Sequence, residues 1–191
     1  MRKIFIDCGF NRGRATSSFP NREEYEDGFE YFAFEPMVDS IFKKKNFSEK
    51  FPYVFLSKKA VWIEDGEMTF FKNPRRKYQA SGLFENKVGE SEDVNVETIN
   101  FPQWLMDNFD KEDKIIVKMD IEGAEYDVIP QMIKDGSIHM IDTLYIEMHK
   151  RKAGMHGSVK ALKSILKQLE NGPIVKGPIE SEKYKVDFTK G

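Results

Sequence analysis

The feature that most constrains the fold is a short apolar run that leads into closely spaced acids. The run Ile115–Val117 is followed by three carboxylates, Asp120, Glu122 and Glu125, spaced two and three residues apart. Apolar strands that end at a turn into a helix are where open α/β sheets bind their ligands. Because carboxylates repel one another at short range, they are costly to hold together unless they bind something. The stretch therefore predicts a site at the end of a buried strand.

Short apolar strands alternate with helical segments along the chain. Strands are predicted at 3–6, 31–34, 53–56, 94–99, 115–119 and 143–148, and helices at 14–25, 38–45, 101–109, 123–133 and 159–169. Apolar residues recur at a spacing of three to four in the last helix, which the sequence Asn171-Gly172-Pro173 ends. This alternation predicts an α/β fold, with a mostly parallel sheet and helices on both of its faces.

Two other segments carry local signals. Ala60–Ile63 and Met68–Phe71 flank Asp65-Gly66, and we predict a hairpin because Asp-Gly supplies the positive φ that such turns need. Residues 73–93 lack a sustained period and are predicted to form a long loop. Within it, Ser81–Phe84 is either a lid that closes over a bound substrate or a disordered connection. The tail from Ile174 is expected to add one or two edge strands.

Length and composition narrow the class of protein. With 191 residues, one domain is expected, and a formal net charge of −2 gives no general attraction to nucleic acid or membrane. No run approaches the roughly 18–20 apolar residues of a membrane span, and the one cysteine, Cys8, fits a reducing compartment. We expect a soluble cytoplasmic protein, and the sequence leaves its oligomeric state open.

A glycine-bearing loop follows the first strand, with Asp7, Gly9, Asn11 and Gly13 at alternate positions. Glycines allow the backbone to approach a ligand closely, and the following helix offers free N–H groups. The spacing is not that of a dinucleotide-binding loop, and an acid at this point would repel a pyrophosphate. Asp7 could instead pair with a cationic ligand such as an amino-acid ammonium group. The alternative is a tight turn that binds nothing.

Acids also end two other strands. Glu35 follows the second strand, where a carboxylate can accept both hydroxyls of a ribose; the alternative is a solvated acid before Pro36. Glu147 and His149 end a later strand on one face, so the acid could orient the imidazole for proton transfer. Glu125 suits the dipole of the helix it begins as well as it suits a ligand.

If the strand at 115–119 persists to Glu122, its period of two places Asp120 and Glu122 on one face. The two carboxylates would then point in the same direction at the end of the strand.

In order and spacing, several segments resemble the FkbM-type methyltransferases. They are Asp7–Gly13, Phe34–Pro36, Val96–Asn100, Lys118–Glu125 and Ile146–His149. The resemblance spans about residues 4–149, and its most specific part is the Asp-x-Glu-Gly-x-Glu block at 120–125. It implies a class I methyltransferase (Rossmann-like) fold, with S-adenosylmethionine as the methyl donor and a hydroxyl oxygen as the usual acceptor.

The resemblance also implies roles for individual residues. Asp7, Gly9 and Asn11, in the loop completed by Gly13, would line the methionine end of the cofactor; Glu35 would take the ribose hydroxyls; Ala60 and Val61 would border the adenine; and Asp120 would lie near the transferred methyl group.

Methyl transfer to a hydroxyl requires a base, because the hydroxyl is a poor nucleophile until it loses its proton. The candidate base is His149, with Asp120 as the alternative and Glu147 as the orienting group. Asp120, Glu122, Glu147 and His149 could instead converge on a divalent cation. That alternative is not favoured by the sequence, because such acids can pair with basic residues or with the cofactor's ammonium group.

The acceptor class is suggested by basic runs. The usual interpretation of such a run is a solvated face, which we favour for Lys43–Lys45, whereas Arg75–Lys77 and Lys150–Lys152 could instead rim the active-site mouth. The expected partner is therefore a sugar-like or phosphorylated small molecule or glycan, such as a nucleotide sugar, with nucleic acid and membrane not expected. Two other classes stay open: a non-catalytic S-adenosylmethionine-binding protein and a dinucleotide-dependent oxidoreductase.

Overall fold

A computed structural model describes residues 1–42, 47–72, 81–84, 92–149 and 159–179 of the chain. Its strands are β1 (Lys3–Cys8), β2 (Phe29–Phe34), β3 (Val54–Ser57), β4 (Ala60–Trp62), β5 (Gly66–Lys72), β6 (Glu92–Asn100), β7 (Lys114–Met119), β8 (Thr143–Ile146) and β9 (Ile174–Lys176). Its helices are α1 (Arg14–Ser18), α2 (Val38–Ile41), α3 (Phe47–Lys50), α4 (Phe101–Asn108), α5 (Glu125–Asp135) and α6 (Val159–Gln168).

The central sheet has six parallel strands in the order β3-β2-β1-β7-β8-β9. The chain builds outward from β1 to β3, then returns to the other side of β1 and builds outward again from β7 to β9. The order therefore reverses between β1 and β7, and in open α/β sheets the crevice at such a reversal is where ligands bind. This confirms the predicted Rossmann-like α/β fold with a mostly parallel sheet.

The sheet is buried on both faces because its strands are apolar at successive positions. In β1, Ile4 and Ile6 belong to the larger core, which also contains Val128 and Ile129 of α5. Phe5, between them, belongs to a smaller core on the opposite face, where its ring stacks on Phe19 at 4.2 Å. Helical residues cover both faces of the sheet. The strands therefore do not alternate between apolar and polar side chains.

The predicted hairpin at Asp65-Gly66 is wrong. β4 and β5 both pair with β6, β4 in parallel and β5 antiparallel, and together they form a separate three-stranded sheet in the order β4-β6-β5. The turn does reverse the chain, but β6 inserts between its two arms. All seven residues of β5 find partners on β6, a longer pairing than the three-residue β4 could offer.

Several element boundaries differ from the prediction. The helix predicted to reach Tyr25 ends at Ser18, and Pro20 lies in a 3₁₀ turn, Phe19–Asn21, that follows it. The helix predicted for 38–45 ends at Ile41, and residues 43–46 lie outside the described residues. β9 confirms one edge strand in the tail.

Among the described helices, none is both long enough and apolar enough to cross a membrane.

Candidate functional site

Two adjoining pockets open at the ends of the central strands and share Gly9 as a wall. The larger has a volume of about 270 Å³ and is polar. It is lined by residues from the ends of β1, β7 and β8, among them Asn11, Lys118, Asp120, Glu122, Glu147 and His149. The structure thus brings together the acids and the histidine that the sequence singled out after different strands.

The smaller pocket, of about 40 Å³, is apolar. Ala60 and Val61 contribute to its wall, together with Pro36 and Leu83. Leu83 belongs to the short described segment 81–84, which is attached to β5 by two backbone hydrogen bonds between Gly82 and Phe71. Leu83 therefore lies at the apolar pocket, whereas a Cβ on Gly82 would lie 2.9 Å from Cβ of Glu122, which lines the polar pocket. That the segment covers the acceptor stays a prediction.

The glycine loop packs tightly against the end of β7. Gly9 has a φ of +81°, and a Cβ at this position would lie 2.0 Å from the carbonyl oxygen of Asp120. Gly13 has a φ of +70°, and a Cβ there would meet the rings of Phe51 and Phe10 within 2.5 Å. Gly9 is required for the loop to reach the pocket wall, whereas Gly13 is required for packing and lies outside the lining of both pockets.

Asp7 is fully buried and does not line either pocket, which corrects its predicted contact with a cationic ligand. Its carboxylate lies 3.1 Å from Nζ of Lys118 and accepts a hydrogen bond from Thr16. The cation beside Asp7 is thus an internal one. Lys118 also donates to the carbonyl of Gly9 and lies 3.6 Å from Asp120.

Sequence reasoning assigned no role to Lys118. A signal was present, because Lys118 lies between apolar residues of the run 115–119, and a buried lysine needs a partner. Asp7 and Lys118 are register partners on the neighbouring strands β1 and β7.

Glu35 ends β2 as predicted and is buried, at 7% exposure. Its two carboxylate oxygens accept the backbone N–H groups of Asn11 and Met37, at 2.8 and 2.9 Å. Burial raises the pKa of Glu35 above its usual range, although these two hydrogen bonds oppose the shift. Glu35 therefore ties the glycine loop to the end of β2, and its contact with a ribose stays a prediction.

The side chain of Asn11 offers an unused acceptor. Its carboxamide oxygen is buried, and no hydrogen-bond donor among the described residues reaches it. The residue itself has a φ of +47° and lines the polar pocket. A buried acceptor without a donor is costly, so a donor on a bound ligand would stabilise this loop.

His149 stands at the centre of the acidic wall of the polar pocket. Its Nε2 lies 3.4 Å from Asp120, 3.6 Å from Glu122 and 4.0 Å from Glu147. The grouping was predicted, but its expected cause is wrong: β7 ends at Met119, and Glu122 lies in the following turn with a φ of +56°. The turn, and not a continued strand, directs both carboxylates towards His149.

The acid that holds the imidazole is Glu125, which corrects the role predicted for Glu147. Oε1 of Glu125 lies 3.3 Å from Nδ1 of His149, and the two Glu125 oxygens accept the N–H groups of Ile121 and Gly123. Glu125 is fully buried, so it both fixes the turn and orients the ring. Its place in the first helical turn hid this role, because a helix-dipole contact explained the acid equally well.

The surrounding acids control the charge of His149. Burial alone would lower its pKa, but the hydrogen bond with Glu125 and the charges of Glu125, Glu122 and Asp120 raise the pKa to about 9. At neutral pH the imidazole therefore carries a proton. A protonated ring cannot accept a second proton, which weakens the prediction that His149 is the base.

This pKa predicts how stability changes with pH in the metal-free protein. Because the folded value exceeds the unfolded value of 6.5, the contribution is fully present below pH 6.5 and is lost as pH rises through about 9. The free energy of unfolding should fall by up to about 3 kcal/mol over this range. Urea unfolding in a chelator measures it. His149→Gln should remove this part of the slope, and an identical slope in both proteins would contradict the prediction.

The basic runs Arg75–Lys77, Lys150–Lys152 and Lys43–Lys45 lie outside the described residues. Two other basic side chains, Arg12 and Arg14, line the polar pocket. Arg12 lies in the loop after Gly9, Arg14 begins α1, and neither was assigned a role from the sequence.

Comparison with known proteins gives one family match. The family model described as the methyltransferase FkbM domain matches residues 7–172, a range that includes the end of β1, all of β7 and β8, and every residue of the two pockets. No curated protein and no solved structure shows a significant match to the chain.

Proposed function

The chain belongs to the FkbM methyltransferase family, and we propose that it is an S-adenosylmethionine-dependent O-methyltransferase acting on a hydroxyl of a sugar, glycan or nucleotide sugar. The observation that carries this proposal is the pair of pockets that meet at Gly9, one apolar and one polar. S-adenosylmethionine has the same division, with a flat adenine at one end and a charged amino acid at the other.

The adenine is proposed to occupy the apolar pocket, against Ala60 and Val61. The ribose would bind near Glu35, whose carboxylate oxygens each keep a lone pair after accepting one backbone N–H. This arrangement favours a single nucleoside over a dinucleotide, because the loop after β1 lacks the glycine spacing that accommodates a pyrophosphate.

The amino-acid end of the cofactor is proposed to lie along the glycine loop. The unused carboxamide oxygen of Asn11 can accept a hydrogen bond from the ammonium group. Arg12 and Arg14, which line the same pocket, can pair with its carboxylate. In this proposal Asp7 does not contact the cofactor. It forms an ion pair with Lys118, and Lys118 donates a hydrogen bond to the carbonyl oxygen of Gly9 in the loop.

When bound, S-adenosylmethionine supplies a methyl group on a positively charged sulfur. The acceptor oxygen would bond to that methyl group, with the electrons of the S–C bond left on sulfur, and the hydroxyl proton would pass to a residue of the polar pocket. Since His149 is protonated at neutral pH, a carboxylate is the better proton acceptor, and Asp120 and Glu147 both line the pocket. In the protein without a bound cation, His149 then holds Asp120 and Glu122 in position through its ring N–H.

Thermal unfolding with added ligands tests the cofactor assignment. S-adenosylmethionine and S-adenosylhomocysteine at 100 times their dissociation constants should stabilise the protein by about 2.7 kcal/mol, which for a chain of this size is a rise of about 5 °C or more in Tm. NAD should leave Tm unchanged. Stabilisation by NAD alone would favour an oxidoreductase and overturn the proposal.

Transfer of a labelled methyl group from S-adenosylmethionine to a panel of acceptors tests the reaction. We expect label in free sugars, glycans or nucleotide sugars, released only under conditions that cleave methyl ethers. Binding of S-adenosylmethionine without labelling of any hydroxyl compound would instead favour the non-catalytic alternative.

A further inference from the structure

We infer that Asp120, Glu122 and His149 form a binding site for one divalent cation in the wall of the polar pocket. One ligand atom from each of these side chains lies within 4.8 Å of the other two. Nε2 of His149 is 3.4 Å from Oδ1 of Asp120 and 3.6 Å from Oε1 of Glu122. A role for this cation in catalysis rests on the proposed function. Binding of the cation by these three side chains does not depend on that function.

The spacing of the three ligand atoms is close to that of a coordination shell. With metal–ligand distances of about 2.1 Å, neighbouring ligands of an octahedral Mg²⁺ lie about 3 Å apart. The separations of Nε2 of His149 from Asp120 and Glu122 exceed this by about half an ångström, which small side-chain rotations can remove, and all three ligand atoms lie within 4.8 Å of one another. All three side chains line the polar pocket, so the remaining coordination positions would be available to water or an acceptor hydroxyl from that pocket.

The imidazole is already held as a metal ligand would be. Glu125, outside the three-ligand set, occupies Nδ1 of His149 and leaves Nε2 directed at the two carboxylates. Metal-bound histidines almost always have their second ring nitrogen bonded to a carboxylate or carbonyl in this way. Glu125 is in turn fixed by the N–H groups of Ile121 and Gly123, in the turn that carries Asp120 and Glu122.

The donor set indicates the class of cation. Two carboxylate oxygens suit Mg²⁺ and Mn²⁺, and one imidazole nitrogen shifts the preference towards Mn²⁺ and later transition metals. A hydroxyl coordinated at an open position would lose its proton more easily. Glu147, 4.0 Å from Nε2 and half exposed, would remain outside the shell as the group that accepts that proton.

Titration of the chelator-treated full chain with MnCl₂ tests the site, with the electron paramagnetic resonance signal of free Mn²⁺ as the readout. We expect one Mn²⁺ per chain, with an affinity that Asp120→Asn, Glu122→Gln and His149→Gln each lower by about tenfold or more. Glu67→Gln, which removes one charge at an exposed position outside the pocket, is the matched control and should bind as the unmodified protein does. Tm in chelator identifies any variant that has not folded.

Two results would overturn the inference: no loss of the free Mn²⁺ signal with the unmodified protein, or equal binding by the folded pocket variants and the Glu67→Gln control. S-adenosylmethionine binding is measured on the same samples by thermal shift. Loss of Mn²⁺ binding alone would leave the proposed function intact, and loss of cofactor binding alone would leave the cation site intact.

Discussion

Replacing His149 with alanine is expected to lower kcat for methyl transfer by about 100-fold or more, while the Kd for S-adenosylmethionine changes by no more than about threefold. The imidazole faces Asp120 and Glu122 but does not line the apolar pocket, so its loss should affect the acceptor side of the reaction and spare nucleoside binding. Steady-state kinetics with labelled S-adenosylmethionine, together with calorimetry for Kd, separates the two effects.

The matched control is His139→Ala. His139 is exposed, and its Nδ1 contacts only the carbonyl oxygen of Asn171 among the described residues, outside both pockets. The His139→Ala variant should transfer methyl groups at the same rate as the unmodified protein. Near-normal turnover of the His149→Ala variant, with cofactor binding intact, would show that this side chain is not part of the catalytic machinery.

Asp120→Asn should reduce kcat by a similar factor, and the double variant should lose little more than either single variant. Groups that act as one unit are strongly non-additive, because removing one of them already removes the contribution of the other. Multiplication of the two losses in the double variant would mean that Asp120 and His149 act independently.

The central sheet could be predicted because its signal is local. An apolar run such as 115–117 predicts a strand that is buried on both faces of the sheet. A helix after each such strand predicts that the next strand runs parallel to it. The same reasoning predicts that the acids ending these runs share one edge of the sheet. Asp120, Glu147 and His149 do line one pocket, as this reasoning predicts.

The three-stranded sheet could not be predicted in the same way. Asp65-Gly66 has the local chemistry of a tight turn, and that chemistry is unchanged whether the flanking strands pair with each other or with a third strand. The choice depends on β6, about 30 residues later, whose register places Gly66 opposite Thr98. Pairing between distant segments follows from packing and burial, which a local pattern does not specify.

The interior of the site was missed for a related reason. Lys118 and Glu125 have meaning only through partners that the fold supplies, Asp7 on the neighbouring strand and His149 after the next one. Lys118 was assigned no role from the sequence, and Glu125 was explained equally well as an acid at the start of a helix. The sign available in the sequence was Lys118, a charged residue within an apolar run. A charge at such a position needs a partner, and here the partner, Asp7, lies on the neighbouring strand.

Lys118→Met is expected to destabilise the protein by about 3–5 kcal/mol, because it leaves the carboxylate of Asp7 buried without its cation. The side chains of Lys118 and Asp7 are only 5% and 0% exposed, so water cannot replace the lost partner. Unfolding by urea, followed by circular dichroism, measures the change. The control is Lys58→Met, which breaks an ion pair of similar length with Asp39, 2.9 Å long and largely exposed. That change should cost less than about 1 kcal/mol.

A double variant separates the unpaired charge from lost packing. Asp7→Asn in the Lys118→Met background removes the buried negative charge while the amide still accepts the hydrogen bond from Thr16. If the penalty comes from the unpaired carboxylate, the double variant should be more stable than Lys118→Met alone, by about 1–3 kcal/mol. Stability equal to or below that of the single variant would assign the loss to the packing of the lysine chain and its bond to the carbonyl of Gly9. In either case kcat should stay low, since Lys118 also lies 3.6 Å from Asp120, and restoring the fold does not restore that contact.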